Sequence, residues 1–231
     1  MFFNDKIKIA LELLEQQSYL LKRSYAKNIL GMNVEFFSID GSDKMYKYFI
    51  HNHNLGYPCR RYSERTIELA LADEWLNNCP NSWEIGAVSP YYWPKRVQNV
   101  IDPTDPHPQV NYHGSLFDFD FSGKDLLLIS TIEHIGQSQY GLEEMVDAVR
   151  AFEKIAVEAN NFLITVPIGW NNLLDDFVFS GGANDLCNVF FLVRNRFELW
   201  ESVPSKYARL PYAGKKPWAN SVAILERGNK L

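Results

Sequence analysis

Downstream of Pro80, the chain alternates short apolar runs with longer stretches of helical or irregular pattern. Seven such runs occur, at 82–85, 97–101, 110–113, 125–130, 161–166, 188–193 and 221–226. Strands that alternate with helices are typical of parallel crossover units. We therefore predict an α/β fold built on a doubly wound, mostly parallel sheet of about seven strands.

The segments between the later runs are of two kinds. One is an amphipathic helix between 130 and 161, whose apolar stripe comprises Leu142, Met145, Val146, Val149, Phe152, Ile155, Ala156 and Ala159. The other, from Trp200 to Trp218, is rich in Trp, Pro and Lys and has no strong helical period. We expect the last strands to form an antiparallel hairpin at the sheet edge.

The chain before Pro80 has a different pattern. Apolar residues recur at helical spacing over 4–23 and again from Ser63 to about Asn77, so both segments are predicted to be helices. Between 24 and 60 the sequence is aromatic-rich and punctuated by glycine, which favours short helices and loops. We predict a helical or cap extension over 1–62 and the main domain over 63–231.

Composition excludes several classes of protein. With 231 residues, 46% of them hydrophobic, the chain can bury one sizeable core. A net charge of −5 without a basic stripe disfavours a nucleic-acid partner. No apolar run reaches the roughly 18 residues that span a membrane, and no signal-peptide pattern is present. Three scattered cysteines are expected to be free thiols. We expect a cytoplasmic protein that does not bind membranes.

Candidate ligand-binding residues follow the first two runs, because ligands lie beyond the carboxyl ends of parallel strands. Glu84 and Gly86 end the first run, and Gly86 suits a sharp backbone turn. Asp102 ends the second run, where a carboxylate can accept hydrogen bonds from both ribose hydroxyls. Taken alone, either segment is equally well explained as an ordinary turn or loop.

The residues after Gly86 bear on the kind of cofactor. A dinucleotide enzyme uses G-x-G-x-x-G to bring two phosphates to a helix N-terminus. Here Gly86 is followed by Ala87, Val88 and Ser89. The pattern therefore favours a cofactor without phosphate, of which S-adenosylmethionine is one.

Two later segments carry a family resemblance. Residues 130–136 read STIEHIG and residues 165–171 read TVPIGWN, one on each side of the predicted amphipathic helix. Both resemble motifs of the class I S-adenosylmethionine-dependent methyltransferases, in particular a bacterial set whose fourth strand ends ST[LI]EH[VI]G and whose fifth reads TVP[LI]G[YW]N. The resemblance covers about 63–226 and implies a Rossmann-like fold.

The resemblance also implies a cofactor site. In it the methionine part contacts the first loop, the ribose contacts an acid and the adenine contacts a turn. The residues concerned are Glu84, Gly86 and Val88 for the methionine part, Asp102 for the ribose, Ser115 and Leu116 for the adenine, and Ser130 and Thr131 at the fourth strand. The family usually has Asp at Ser115, so Asp118 or a backbone carbonyl would have to replace that contact.

His134 is the predicted general base, because an ordinary His pKa near 6.5 suits proton abstraction at neutral pH. Glu133 would orient His134 or bind a substrate hydroxyl. The alternative is that both residues only pack and hydrogen-bond in the wall of the cofactor site. No metal is expected, because the other histidines, His51, His53, His107 and His113, lack the spacing of metal ligands.

The aromatic residues have two readings. They could form a lid that stacks on the acceptor, or they could fill a core or a dimer interface. The lid candidates are Tyr46, Tyr48, Phe49, Tyr57 and Trp218.

The expected reaction is in-line methyl transfer to an oxygen of a sugar, nucleotide-sugar or other small polar metabolite. The acceptor class is implied by the resemblance, since that bacterial set tends to occur with surface-glycan and secondary-metabolite enzymes. Two other classes stay open. One is a catalytically silent adenosyl-cofactor-binding or assembly protein, and the other is a nicotinamide oxidoreductase, which the missing glycines disfavour. The expected partner is a small-molecule substrate, and a homodimer stays open.

Overall fold

The structure is a computed structural model that describes residues 14, 17–18, 20–50, 63–136, 147–212, 219–228 and 231. The described helices are α1 (20–28), α2 (Arg65–Asn78), α3 (Asp147–Glu158) and α4 (Asn172–Phe179). The described strands are β1 (Phe36–Ser38), β2 (Met45–Lys47), β3 (Trp83–Ile85), β4 (Asn99–Ile101), β5 (Asp125–Ile129), β6 (Asn161–Pro167), β7 (Asn188–Arg194), β8 (Trp200–Ser202) and β9 (Ser221–Arg227).

Seven of these strands form one sheet in the order β4-β3-β5-β6-β9-β7-β8. The pairs β4–β3, β3–β5 and β5–β6 are parallel, whereas β9 is antiparallel to both β6 and β7, and β8 is antiparallel to β7. Five of the seven strands therefore run in the same direction. The predicted α/β class with a mostly parallel sheet of about seven strands is confirmed.

Helices cover both faces of this sheet, which explains why β5 is apolar and buried from Leu126 to Ile129. Leu127 and Ile129 of β5 pack with α2, whereas Leu126 and Leu128 pack with α3 and α4 on the opposite face. Successive side chains of a strand point to opposite faces, so this strand buries both sets. The carboxyl ends of β5 and its neighbours are thereby held rigidly at one edge.

Two segments between β3 and β5 depart from a simple alternation of strands and helices. The connection from β3 to β4 contains one turn of 3-10 helix, Ser89–Tyr91. The run 110–113 is not a strand, and makes a single parallel bridge between Ile101 and Tyr112. Val100 N donates its hydrogen bond to Asn111 Oδ1 (2.8 Å). This side-chain oxygen takes the place of the backbone carbonyl that would accept the bond if 110–113 were a paired strand.

The region 24–60 also differs from the expectation of short helices and loops. In its described part, α1 continues to residue 28, and β1 and β2 form a small antiparallel sheet. Most of the helix predicted over 4–23 lies outside the described residues, as do Leu142, Met145 and Val146 of the later helix. The helix predicted from Ser63 to Asn77 is confirmed as α2.

The proposed lid is wrong for Tyr46 and Tyr48, and the core alternative is right for them. Both are buried, and both rings contact Phe37, at centroid distances of 5.4 and 5.2 Å. The Tyr48 hydroxyl accepts a hydrogen bond from Trp200 N (2.9 Å). The half-buried Phe49 packs against the same core, while the remaining two candidates, Tyr57 and Trp218, lie outside the described residues.

The part of the sheet formed by β7, β8 and β9 matches the expected antiparallel edge in part. β7 and β9 pair antiparallel as expected, but the edge is β8, which lies inside a stretch where no strand was predicted.

Cys79 and Cys187 are free thiols, and Cys59 lies outside the described residues. None of the helices in the described ranges is both long and apolar enough to cross a membrane.

Candidate functional site

A cavity of about 560 Å³ opens at the carboxyl ends of β4, β3 and β5. This volume is typical of small-molecule sites. Eight of the ten predicted site residues line it, namely Gly86, Val88, Asp102, Ser115, Leu116, Ser130, Thr131 and His134. The other two, Glu84 and Glu133, are buried beside the cavity and are not part of its lining.

Gly86 allows the loop after β3 to lie against the loop after β5. Its φ of +84° is in the left-handed region that favours glycine. A Cβ at this position would lie 2.2 Å from Thr131 Oγ1 and 2.5 Å from Thr131 Cγ2. The close approach of these two loops therefore requires the absence of a side chain at residue 86.

The backbone amides of this first loop are all used within the protein. Gly86 N donates to Ile101 O (2.8 Å) and Ala87 N donates to Asp102 Oδ2 (3.2 Å). Val88 N and Ser89 N both donate to Glu84 Oε1, at 3.1 and 2.7 Å. Glu84, predicted to contact the cofactor, is buried beneath the loop and accepts these hydrogen bonds. Four consecutive N–H groups are thus satisfied before any ligand binds.

Asp102 is held rigidly at the end of β4. Its Oδ1 accepts hydrogen bonds from Thr104 N (2.9 Å) and Asp105 N (2.8 Å), in an Asx-type turn. Its Oδ2 accepts only the Ala87 N–H among the described residues, which leaves a lone pair of this oxygen available at the cavity.

Ser115 is the N-cap residue of a short 3-10 turn, Leu116–Asp118. Its Oγ accepts a hydrogen bond from Phe117 N at 3.3 Å, and Leu116 beside it lines the cavity with an apolar surface. Asp118, the residue suggested as a substitute for an acid at position 115, is not part of the lining.

Ser130, at the end of β5, has a φ of +45°, which is strained for a residue with a side chain. Three contacts hold it there. Ser130 N donates to Thr165 O (3.2 Å) and Thr165 Oγ1 (3.1 Å), and Ser130 Oγ donates to Glu68 Oε1 (2.5 Å). Thr165 belongs to the second motif, so one motif supports the conformation of the other.

Sequence reasoning missed Glu68 and Arg65 on the first turn of α2. The fully buried Glu68 accepts hydrogen bonds from Ser130 and Thr165 and forms an ion pair with Arg65 Nη1 at 3.2 Å. Arg65 itself lines the cavity. The available signal was the i, i+3 spacing of an arginine and a glutamate on the apolar face of a helix, where an unpaired charge would be costly.

His134 and Glu133 lie on a 3-10 turn, Ile132–His134, that the second motif also supports. Asn171 Nδ2 donates to Glu133 O (3.1 Å), while Asn171 Oδ1 accepts from Leu174 N and caps α4. The ring of Trp170 meets His134 edge-on, at 5.0 Å between centroids. His134 Nε2 lies 3.5 Å from Glu133 Oε1.

The ionisation of this pair differs from the expected one. Burial, and then the charge of Arg65, lowers the pKa of His134 to about 4. Burial also raises the pKa of Glu133 well above its usual range. The assumption of an ordinary His pKa near 6.5 was therefore wrong. Near neutral pH, His134 is an uncharged imidazole beside a carboxyl group that favours its protonated form.

In the described ranges, no three or more His, Cys, Asp or Glu side chains are arranged to hold a metal ion. A scan against protein-family models and searches of curated proteins and of solved structures found no match to this chain.

Replacing Gly86 by alanine tests the close approach of the two loops. The matched control is Gly123→Ala, because Gly123 also has a positive φ (+70°) but has nothing within 4 Å of an added Cβ. The left-handed conformation costs alanine roughly 1–2 kcal/mol at either position, and the overlap with Thr131 adds typically 1–3 kcal/mol at residue 86 alone. Urea unfolding should show the larger loss for Gly86→Ala, and equal losses would contradict the contact.

Glu84→Gln tests the burial of the carboxyl group under the loop. Burial raises the pKa of Glu84 from 4.5 to about 7, although Ser89 and Val88 donate hydrogen bonds to it. Because the folded pKa is the higher one, this group stabilises the fold at low pH, and that stability is lost as the pH rises from 4.5 through 7. The shift corresponds to about 3 kcal/mol.

Glutamine keeps an acceptor for the loop amides and does not ionise, so Glu84→Gln should gain stability relative to wild type as the pH rises. Thermal unfolding at pH 5 and pH 8 would measure this difference. Glu153→Gln, at an exposed position on α3, is the control and should follow the wild-type profile. If the stability of Glu84→Gln follows the same pH profile as wild type, the buried carboxyl group of Glu84 is not the source of this pH dependence.

Proposed function

We propose that this chain is a class I, Rossmann-like S-adenosylmethionine-dependent methyltransferase that methylates an oxygen of a sugar, nucleotide-sugar or other small polar metabolite. One observation carries the proposal. The cavity joins three strand ends around Asp102, while every backbone amide from Gly86 to Ser89 is already bonded within the protein. Such a cavity suits an adenosyl ligand that has hydroxyl groups to bind and no phosphate.

The lining residues supply what each part of this cofactor needs. Asp102 offers a carboxylate oxygen to the ribose hydroxyls, and charge-assisted hydrogen bonds of this kind are strong. Ile101 and Leu116 offer apolar surface to the adenine ring. Gly86 and Thr131 lie against each other at the ends of β3 and β5 and both line the cavity there, which is where we assign the methionine part.

A nicotinamide oxidoreductase is disfavoured by the same loop. A pyrophosphate needs free N–H donors, and here they are bonded to the carboxyl groups of Glu84 and Asp102. Negative charge on Asp102 would also repel a phosphate. A catalytically silent adenosyl-binding protein would share the cavity, and only turnover distinguishes it from an enzyme.

His134 remains the proposed proton acceptor, with a modified role. The sulfonium of the cofactor is already an activated leaving group, so methyl transfer needs alignment more than a strong base. As the new bond forms, the acceptor oxygen becomes strongly acidic, and an imidazole of pKa about 4 is basic enough to take its proton. Because His134 is uncharged at neutral pH, it is ready to do so without prior deprotonation.

Calorimetric titration of the full chain with S-adenosylhomocysteine, NADH and ATP tests the class of cofactor. Binding is expected for S-adenosylhomocysteine and not for the two phosphate-bearing ligands, because the loop amides are occupied. Asp102→Asn should weaken this binding by roughly tenfold, the loss expected for a hydrogen bond to a charged group. Asparagine keeps an oxygen that can accept the turn hydrogen bonds of Thr104 and Asp105.

Asp118→Asn, a nearby acid outside the cavity lining, is the matched control and should bind like wild type. Binding of NADH in preference to S-adenosylhomocysteine would reverse the choice of cofactor. Unchanged affinity in Asp102→Asn would remove Asp102 from the ribose site.

His134→Ala tests the proton acceptor. With an identified acceptor and labelled S-adenosylmethionine, the variant should lose methyl transfer by roughly 10²-fold or more, the usual contribution of a positioned acid or base. Full methyl transfer by His134→Ala would show that His134 belongs only to the wall of the site.

A further inference from the structure

Arg65 is the only Lys or Arg side chain among the described residues that line the cavity. It is the first residue of α2, and its Nη1 lies 3.5 Å from Ile129 O at the end of β5. Asp102 follows β4, which is separated from β5 by β3 alone. Adjacent strands are about 4.8 Å apart, so the two side chains mark the ends of a span of about 10 Å.

The guanidinium group of Arg65 has donors to spare. Within the described part of the chain, its recorded side-chain contacts with Glu68 Oε2 and Ile129 O both use Nη1. The side chain is 17% exposed. Neither Nε nor Nη2 belongs to the buried polar atoms that lack a hydrogen-bond partner. The edge formed by Nε and Nη2 is therefore open, and a guanidinium edge of this kind binds a carboxylate through two parallel hydrogen bonds.

The charges around Arg65 keep it positive. Burial alone would lower its pKa, but Glu68 and the neighbouring acids outweigh burial, so the pKa lies above its ordinary value. Burial raises the pKa of Glu64 and Glu84 to about 7 and that of Glu133 well above its usual range. These three groups therefore carry less negative charge near neutral pH than ordinary glutamates. Glu68, the partner of Arg65 in the ion pair, is the largest of the charges that keep Arg65 positive.

These observations describe a cavity for an elongated ligand that has hydroxyl groups at one end and an anion at the other. Building on the proposed function, we propose that Arg65 binds the carboxylate of the amino-acid part of the adenosyl cofactor, and thereby selects cofactors that carry this carboxylate. The ribose then lies at Asp102 and the methionine chain passes Gly86. Ion pairing with Glu68 fixes the orientation of the guanidinium group.

The test compares two ligands that differ in one group, S-adenosylmethionine and decarboxylated S-adenosylmethionine. The full wild-type chain should bind S-adenosylmethionine roughly 10- to 100-fold more tightly, as expected for charged hydrogen bonds. Arg65→Met should lose this preference by weakening S-adenosylmethionine alone. Arg96→Met is the control, because Arg96 is also paired with an acid, Asp73, and lies outside the cavity lining.

Each outcome separates the two proposals. If the wild-type chain binds both ligands equally, the role of Arg65 is overturned and the adenosyl site stands. If Arg65→Met weakens both ligands by the same factor, Arg65 acts only through the structure of the site. If the wild-type chain binds neither ligand, the proposed function fails and takes this inference with it. Should Arg65→Met not fold, the wild-type comparison still decides whether the carboxylate is recognised.

Discussion

Glu68 is a carboxylate without exposed surface, and it joins α2 to the ends of β5 and β6 through hydrogen bonds from Ser130 and Thr165. Burying a charge is costly unless it is paired and hydrogen-bonded, so this contact constrains all of its partners together. It holds Ser130 in a left-handed conformation and Arg65 at the cavity. The positions of two lining residues, Ser130 and Arg65, thus depend on one buried side chain that is not part of the cavity lining.

A second carboxyl group shapes the cavity from the other side. Glu84 lies under the loop after β3 and accepts the hydrogen bonds that in a dinucleotide fold would be directed at phosphates. The N–H groups of residues 86–89 therefore already have acceptors within the protein. The selectivity proposed for the site, an adenosyl ligand without phosphate, follows from this internal satisfaction and not from the shape of the cavity alone.

Residues of the two sequence motifs, 130–136 and 165–171, are joined by hydrogen bonds. Thr165 bonds both the backbone of Ser130 and the carboxylate of Glu68, and Asn171 bonds the backbone of Glu133 while it caps α4. Gly169 lies so close to Tyr212 that an added Cβ would be 2.4 Å from its backbone nitrogen. Several motif positions are therefore structural, whereas Ser130, Thr131, His134 and Ile135 line the cavity.

By itself, the sequence determined the α/β class, α2 and the positions of most strands along the chain. These features depend on local periodicity, which is visible in a short window. Eight residues of the cavity lining were also predicted, some because they follow a strand and the others through the motif resemblance. Only the tertiary structure decided the pKa of His134, the burial of Glu84 and the partnership of Arg65 with Glu68. It also decided that Tyr46 and Tyr48 fill the core. Burial and charge depend on neighbours far away in the chain: Glu68 meets Ser130 after 62 residues and Thr165 after 97. No local pattern records such pairings, because they arise only when the strands and α2 come together.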